Sequence, residues 1–361
     1  MRIPPFPRRD LPTPALVIDR AALDRNIAAM AGFAAARGLA LRPHAKTHKS
    51  GEIARRQVAA GAVGVCCAKL SEAEALAADG VGDIHLTSPV VTDEAIGRLG
   101  RLAARIALSV VVDHPGNVAR LAAAGAPLTL FIDVDPGNRR TGVASAEAAV
   151  ALAGAIDASP GLSLGGVQYY CGSQQHIGSF VERHAAIATK TAYLREVLAA
   201  LALAGHAVPV VTGGGTGSFA IDAELGVLTE LQVGSYIFMD REYRDCEFAP
   251  DVGFEAALAV DATVVSANAE GLVTVDAGLK AFAADAGVPV VLTGVAGESW
   301  YAFMGDEHGA LFGTALPGLA ERVTLMPPHC DPTVNLYDRY FVVEGETVVD
   351  VWPVTARGCS S

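Results

Sequence analysis

"IALSVVVDHPGNVARLAAAGAPLTLFIDVD", residues 106–135, decides the fold. Two apolar runs, 106–113 and 128–135, flank an Ala-rich helical pattern. Both runs are apolar nearly throughout rather than alternating, the pattern of strands buried on both faces of a parallel sheet. The unit repeats in both directions. Strand-like runs fall at 39–44, 63–68, 83–88, 162–170, 207–214 and 231–238, with helical patterns such as 71–80 and 178–205 between them. Eight such runs in about 200 residues predict a (β/α)8 TIM-type barrel over residues 20–245, with an open doubly wound sheet as the alternative.

Past residue 246 the rhythm changes. Stretches such as "FEAALAVDATVVSANAEGLVTVDAG" and "YFVVEGETVVDVWPV" read as strands joined by Gly, Asn and Asp turns, with little helix. They predict a mainly β domain over 246–361. The opening strand "PALVID" (14–19) can pair with it, so residues 1–19 are expected to join this second domain.

Composition narrows the class. The chain has 361 residues, a formal net charge of −12, and 51% hydrophobic but only 6% aromatic residues. No basic block or basic–aromatic stripe points to nucleic acid. No apolar run reaches the roughly 18 residues of a spanning helix, so no membrane partner is expected. The N-terminus, "MRIPPFPRRDLPTP", has prolines where a secretory signal would have its apolar core, which predicts a cytoplasmic protein. Six cysteines without a CxxC pair read as reduced, buried thiols.

In such a barrel the chemistry gathers at the C-terminal ends of the strands. Here those ends carry "HAKTH" (44–48), "DPGNRRTG" (135–142), "YYCGSQQH" (169–176), "TGGGTGS" (212–218) and "GSY" (234–236). Glycines let the backbone approach an anion, and the loops after strands 7 and 8 are where barrels hold phosphate. A lysine across the mouth from a phosphate site can form an imine with pyridoxal phosphate if its amine is neutral, a state favoured by desolvation and positive neighbours. Lys46 is the candidate; Lys49, at the start of a helix, is expected to be solvated. In an extended segment His44, Lys46 and His48 would point to one side. One histidine is expected to orient the cofactor or Lys46, and the other to lie behind it.

With these motifs together, the chain resembles the fold-type III pyridoxal-phosphate enzymes, the alanine racemase-like barrels. Within them it is most similar to the D-threonine aldolase and D-serine dehydratase group. The matching segments run nearly end to end: "LPTPALVID" (11–19), "LRPHAKTHKS" (41–50), "CAKLSEAEAL" (67–76), "DVDPGNRRTGV" (133–143), "GGVQYYCG" (165–172), "TGGGTG" (212–217), "QVGSYIFMD" (232–240) and "PPHCDPTVNLYD" (327–338). The resemblance implies that Lys46 carries the cofactor as an imine and that Arg140 sits near its phenolic oxygen. It implies that Tyr170 faces the pyridine nitrogen, and that Gly214, Gly215, Thr216, Gly234, Ser235 and Tyr236 hold the phosphate. Gln232 stands where a racemase has an arginine on that nitrogen; an uncharged partner weakens the ring as an electron sink.

His329 and Asp331 lie two apart, so on an extended segment both could meet one divalent ion. Within the resemblance this is the metal pair. Aldolases carry His-x-Asp there and D-serine dehydratases His-x-Cys, so Asp331 favours an aldolase. A carboxylate ligand favours manganese first, then magnesium or calcium, with zinc also admissible. The implied reaction is cleavage of a D-β-hydroxy-α-amino acid, of D-threonine or 3-hydroxy-D-aspartate type, to glycine and an aldehyde. His176 is the candidate base, with metal-bound hydroxide as rival. The alternative is a D-serine or D-threo-3-hydroxyaspartate dehydratase giving a keto acid and ammonia. A racemase would need a second acid/base tyrosine from residues 246–361, and none stands out. Barrels of this kind borrow residues from a partner's C-terminal domain, so a homodimer is expected.

Overall fold

The computed structural model describes residues 4–249 and 252–361. The expected second-domain segments therefore include three N-terminal residues, and positions 250 and 251, that lie outside the described residues.

The apolar runs form one parallel sheet of eight strands. They are β1 (Ala40–Leu41), β2 (Val65–Cys67), β3 (Asp83–Leu86), β4 (Ala107–Val112), β5 (Leu128–Val134), β6 (Leu162–Tyr169), β7 (Val210–Gly213) and β8 (Glu230–Leu231). Neighbours in sequence pair in parallel from β2 to β8, and β8 pairs with β1. The ring closes between β1 and β2 beyond the ends of regular strand. His44 bridges Cys66, the Cys66 N–H donates to the Pro43 carbonyl at 2.8 Å, and the Ala45 N–H donates to the Cys66 carbonyl at 2.8 Å. Closure removes both sheet edges.

Helices cover the outside because their apolar faces match the strands. Leu130, Ile132, Val110 and Val167 on the strands, and Leu121, Ile156 and Leu194 on the helices, are fully buried. Each such side chain contributes about 1.5–3 kcal/mol of burial. Side-chain caps start several helices: Thr92 accepts from the Ala95 N–H at 3.3 Å and Ser145 from the Ala148 N–H at 3.2 Å.

The eighth run is shorter than its apolar pattern predicts. Regular strand stops at Leu231, and Ser235–Ile237 form a 3-10 turn. The backbone leaves the sheet because Gly234 packs against the β1 turn, where a Cβ would come within 2.6 Å of Thr47 Oγ1.

The second unit is a twisted, mainly antiparallel sheet. Its spine is Leu258–Ala269, flanked by Ala15–Asp19, Leu272–Val275 and Arg322–Met326. Ala15–Asp19 also pairs in parallel with Arg339–Glu344, so the opening strand lies inside this sheet. Arg8 and Arg322 both reach the fully buried Asp261, which ties the N-terminal arm to the same sheet.

All six cysteines are free thiols, five of them buried. Among the described residues, no helix is long and apolar enough to cross a membrane.

Candidate active site

A cavity of about 420 Å³ opens at the C-terminal ends of the barrel strands. It brings together Lys46, Arg140, Tyr170, Gly214, Gly215, Thr216, Gln232, Gly234 and Ser235, contributed by five strand ends. His44, Lys69 and Tyr243 also line it.

Lys46 sits in a turn over residues 45–48, not in an extended segment. The turn is closed by the Lys49 N–H donating to the Ala45 carbonyl at 2.7 Å, with Lys49 in the left-handed region at φ 48°. The turn separates the two histidines. His44 lines the cavity, bonds to Thr87 Oγ1 at 3.1 Å, and takes the Lys46 N–H on Nδ1 at 3.4 Å. His48 is fully buried away from the cavity and accepts the Ser50 N–H at 3.1 Å. Lys49 is also buried rather than solvated, because its ammonium pairs with the buried Glu72 at 2.9 Å.

The Lys46 amine departs from expectation in its charge. Lys46 Nζ lies 3.3 Å from Asp331 Oδ2, and that carboxylate holds the amine above the usual lysine range, against the pull of burial. Positive neighbours do not decide its state here; Asp331 does. Burial would raise Asp331, but Lys46 and then His329 outweigh it and hold the carboxyl at about 2.

His329 and Asp331 do not share a face of an extended segment. His329 is the extended residue before the short helix Cys330–Val334, and Asp331 lies in its first turn. Polar demand bends the chain: the Cys330 N–H donates to Asp240 Oδ2 at 2.8 Å, and the His329 carbonyl accepts the Thr333 hydroxyl at 2.7 Å. Asp331 points towards Lys46 and Ser235, while His329 Nδ1 meets Asp285 Oδ2 at 2.7 Å. A carboxylate only accepts, so Nδ1 carries the hydrogen; burial pulls the imidazole's pKa down but the surrounding carboxylates raise it, and in its neutral form Nε2 keeps a lone pair. That is the arrangement of a metal-ligating histidine with a carboxylate behind it. Among the described residues, no group of three or more His, Cys, Asp or Glu side chains is placed to hold a metal. A cation here would therefore rest on two protein donors, leaving its other positions open.

The anion cradle is built from backbone. Gly214 adopts φ +74°, and a Cβ there would meet Asp222 Oδ2 at 2.6 Å. Thr216 Oγ1 accepts the Tyr236 N–H at 3.0 Å, joining the two glycine segments. Tyr236 takes part through that N–H alone: its phenol is buried behind the cradle and accepts from Gln57 Nε2 at 3.0 Å. A cradle with three glycines among its five residues, beside cationic side chains, fits a phosphate-bearing group.

His176 lies on the rim rather than in the lining. Its ring packs on Tyr243 at 4.5 Å, and its Nε2 is 3.9 Å from Glu242 Oε2. Burial lowers its pKa below the ordinary histidine value. Glu242 Oε2 also lies 3.7 Å from His329 Nδ1, so one carboxylate stands between the two imidazoles. Arg140 lies 5.9 Å from the centre of the Tyr170 ring.

Of the cavity floor, only Gln232 was singled out in the sequence. Gln168 Nε2 donates to Asp133 at 3.0 Å, and its Oε1 accepts from Gln232 at 3.3 Å and pairs with His85 Nε2 at 3.1 Å. Gln232 also donates to Thr212 at 3.0 Å, so its amide nitrogen is fully engaged. The available signal was the polar residue set inside each apolar run, as in "DIHL" and "VQYY". Asp240 closes the quoted segment 232–240, whereas Glu242 and Asp285 carried no motif.

A barrel with a lysine at its mouth, a phosphate cradle opposite and a β domain supplying an acidic residue defines a class of pyridoxal-phosphate barrel enzymes. Residues 18–242 match the family described as alanine racemase, N-terminal domain, and 257–343 match the putative serine dehydratase domain. D-threonine aldolase of Arthrobacter sp is 41% identical over 365 residues, with 99% of this chain and 96% of the relative covered. The 3-hydroxy-D-aspartate aldolase of Paracoccus denitrificans (strain Pd 1222) is 40% identical over 368 residues, covering 99% and 95%. The crystal structure of D-threonine aldolase from Filomicrobium marinum superimposes with a TM-score of 0.95 at 39% identity, covering 99% and 98%. The chain belongs to the alanine racemase-like pyridoxal-phosphate family, in its D-threonine aldolase and D-serine dehydratase branch.

Proposed function

We propose that this enzyme cleaves D-β-hydroxy-α-amino acids, of D-threonine or 3-hydroxy-D-aspartate type, between Cα and Cβ, with a divalent ion as second cofactor. The observation that carries this reading is the meeting of Lys46 with Asp331 beside the cradle. Holding the cofactor's aldehyde would draw the Lys46 nitrogen away from that ion pair. The half-buried Asp331 carboxylate would then be free to meet another cation, with His329 Nε2 as second donor once its imidazole is neutral. Manganese is the first choice, with magnesium, calcium and zinc also fitting a carboxylate–imidazole pair.

Pyridoxal phosphate, when bound, supplies the sink for an electron pair at Cα, and a divalent ion supplies Lewis acidity for the β-hydroxyl. The chain's own residues do the rest. Gly214, Gly215, Thr216, Gly234 and Ser235 hold the phosphate, and Arg140 offsets charge on the phenolic oxygen. Tyr170 and Gln232 meet the ring from an uncharged side. His176 takes the β-hydroxyl proton. The Cα–Cβ pair passes to Cα as the oxygen forms the aldehyde carbonyl, and a proton then delivered to Cα completes glycine.

The named aldolase relatives support this choice over dehydration. Free cysteines suit a cytoplasmic enzyme. A homodimer is part of the reading, and sedimentation at micromolar concentration tests it. The deciding experiment incubates the enzyme with D-threonine, D-serine and 3-hydroxy-D-aspartate, with and without manganese. Glycine with acetaldehyde or glyoxylate is expected, and more of it with the metal. Ammonia with a keto acid would replace the reading by dehydration.

A further inference from the structure

Arg183, on the helix Phe180–Leu203, is the largest fully buried side chain among the described residues. No carboxylate pairs with it there. Its guanidinium instead donates to four carbonyls. Nε reaches Gly217 at 2.8 Å, one terminal nitrogen reaches Ile177 and, at 3.4 Å, Gly178, and the other reaches Glu247. Phe180 and Phe248 pack around it, at 5.6 and 6.0 Å to the ring centres.

Those carbonyls lie on three separate segments, each carrying part of the site. Ile177 follows His176, Gly217 closes the glycine cradle, and Glu247 follows the short helix with Glu242 and Tyr243. Gln175 makes the first of these joins a second time. Its Oε1 accepts the Gly217 N–H at 3.0 Å, and its Nε2 donates to Ser218 Oγ at 2.9 Å. A buried cation without a paired carboxylate is costly, and carbonyl dipoles with the nearby Glu247 charge offset only part of that cost. A dianion bound in the adjoining cradle would offset more.

We propose that Arg183 is a positioning residue for the cofactor site. It locks the phosphate cradle to the loop bearing His176, and its unpaired charge lies behind the cradle as counter-charge to the phosphate. This rests on the cofactor reading above. It predicts that Arg183 acts on the phosphate, not on the pyridine ring. Pyridoxal, which lacks the phosphate, separates this from general support of the fold.

The test measures binding of pyridoxal phosphate and of pyridoxal to the apoenzyme by absorbance, in wild type, Arg183→Met, Arg183→Gln and Arg183→Lys. The neutral variants should lose about tenfold in the ratio of the two affinities, an ordinary size for coupling between two groups. Arg183→Lys keeps the charge and should retain most of the ratio. Arg183→Gln keeps donors for the carbonyls and serves where the methionine variant does not fold. If both affinities fall together and the ratio holds, Arg183 is structural only and the proposal is overturned. A wild type that gives no borohydride-trapped label on Lys46 overturns the cofactor reading itself, a separate result.

Discussion

Lys46 Nζ and Asp331 Oδ2, from the barrel and the β domain, meet at 3.3 Å at the cavity. The barrel contributes the amine through the turn after β1, and the β domain contributes the carboxylate through the helix Cys330–Val334. Neither unit alone holds both. The pair fixes the charge of each member, since the carboxyl is held at about 2 and the amine is held above its usual range.

Lys46→Ala should abolish borohydride-trapped label and turnover together. It should also leave Asp331 without its cation; with 43% of the Lys46 side chain and 14% of Asp331 exposed, that loss should cost about 1 kcal/mol. Denaturant titration of apoenzyme checks the second effect. Unchanged stability would mean that the pair is solvated.

His176→Ala should lower kcat by about 10²–10⁴-fold, the range for a lost general base, with a smaller change in KM. Steady-state kinetics with D-threonine measures it. A loss confined to KM would make His176 a binding group.

Asp285→Asn should weaken divalent-metal affinity by about 10–100-fold, as expected when a ligand histidine loses its carboxylate partner. Titration of metal-stripped enzyme with manganese, read by electron paramagnetic resonance, reports it. Affinity equal to wild type would remove His329 from the metal site.

Gly217→Ala should damage the cradle from behind, because a Cβ there would lie 2.0 Å from the Gln175 carbonyl oxygen. That contact is with backbone, so the loop must shift, at a cost of about 1–3 kcal/mol for overpacking. Cofactor affinity should fall. Gly32→Ala, where a Cβ meets nothing within 4 Å, is the control.

Asp222 gives the pH prediction. Burial raises its pKa from an ordinary 3.8 to about 7, although the Ser218 hydroxyl donates to it at 2.7 Å. Between those two values the folded chain keeps a proton that the unfolded chain has released. This group's contribution is therefore full below pH 3.8 and is lost as pH rises towards 7. Asp222→Asn should flatten that decline, gaining stability relative to wild type at pH 7 and little at pH 4. Equal pH slopes in the two proteins would show that Asp222 ionises freely.

The apolar runs determined a parallel sheet covered by helices, and the contact of His44 with Cys66 decided its closure into a barrel over an open sheet. A strand such as 128–135 is buried on both faces whatever its neighbours, so period and length were enough to place it. The glycine stretch at 212–218 and the lysine at 46 were legible for the same local reason: a backbone cradle and a strand-end amine are properties of short segments. Tertiary structure alone decided the rest. The turn at 45–48 aims Lys46 into the cavity and His48 away from it, and the start of a helix directs Asp331 and His329 to different partners. The protonation of Lys46 follows from Asp331, which the β domain brings within 3.3 Å. Glu242, Asp285 and Arg183 acquire their roles only through neighbours distant in the chain. Electrostatics and hydrogen bonding act through space, and spacing along a sequence does not encode that distance.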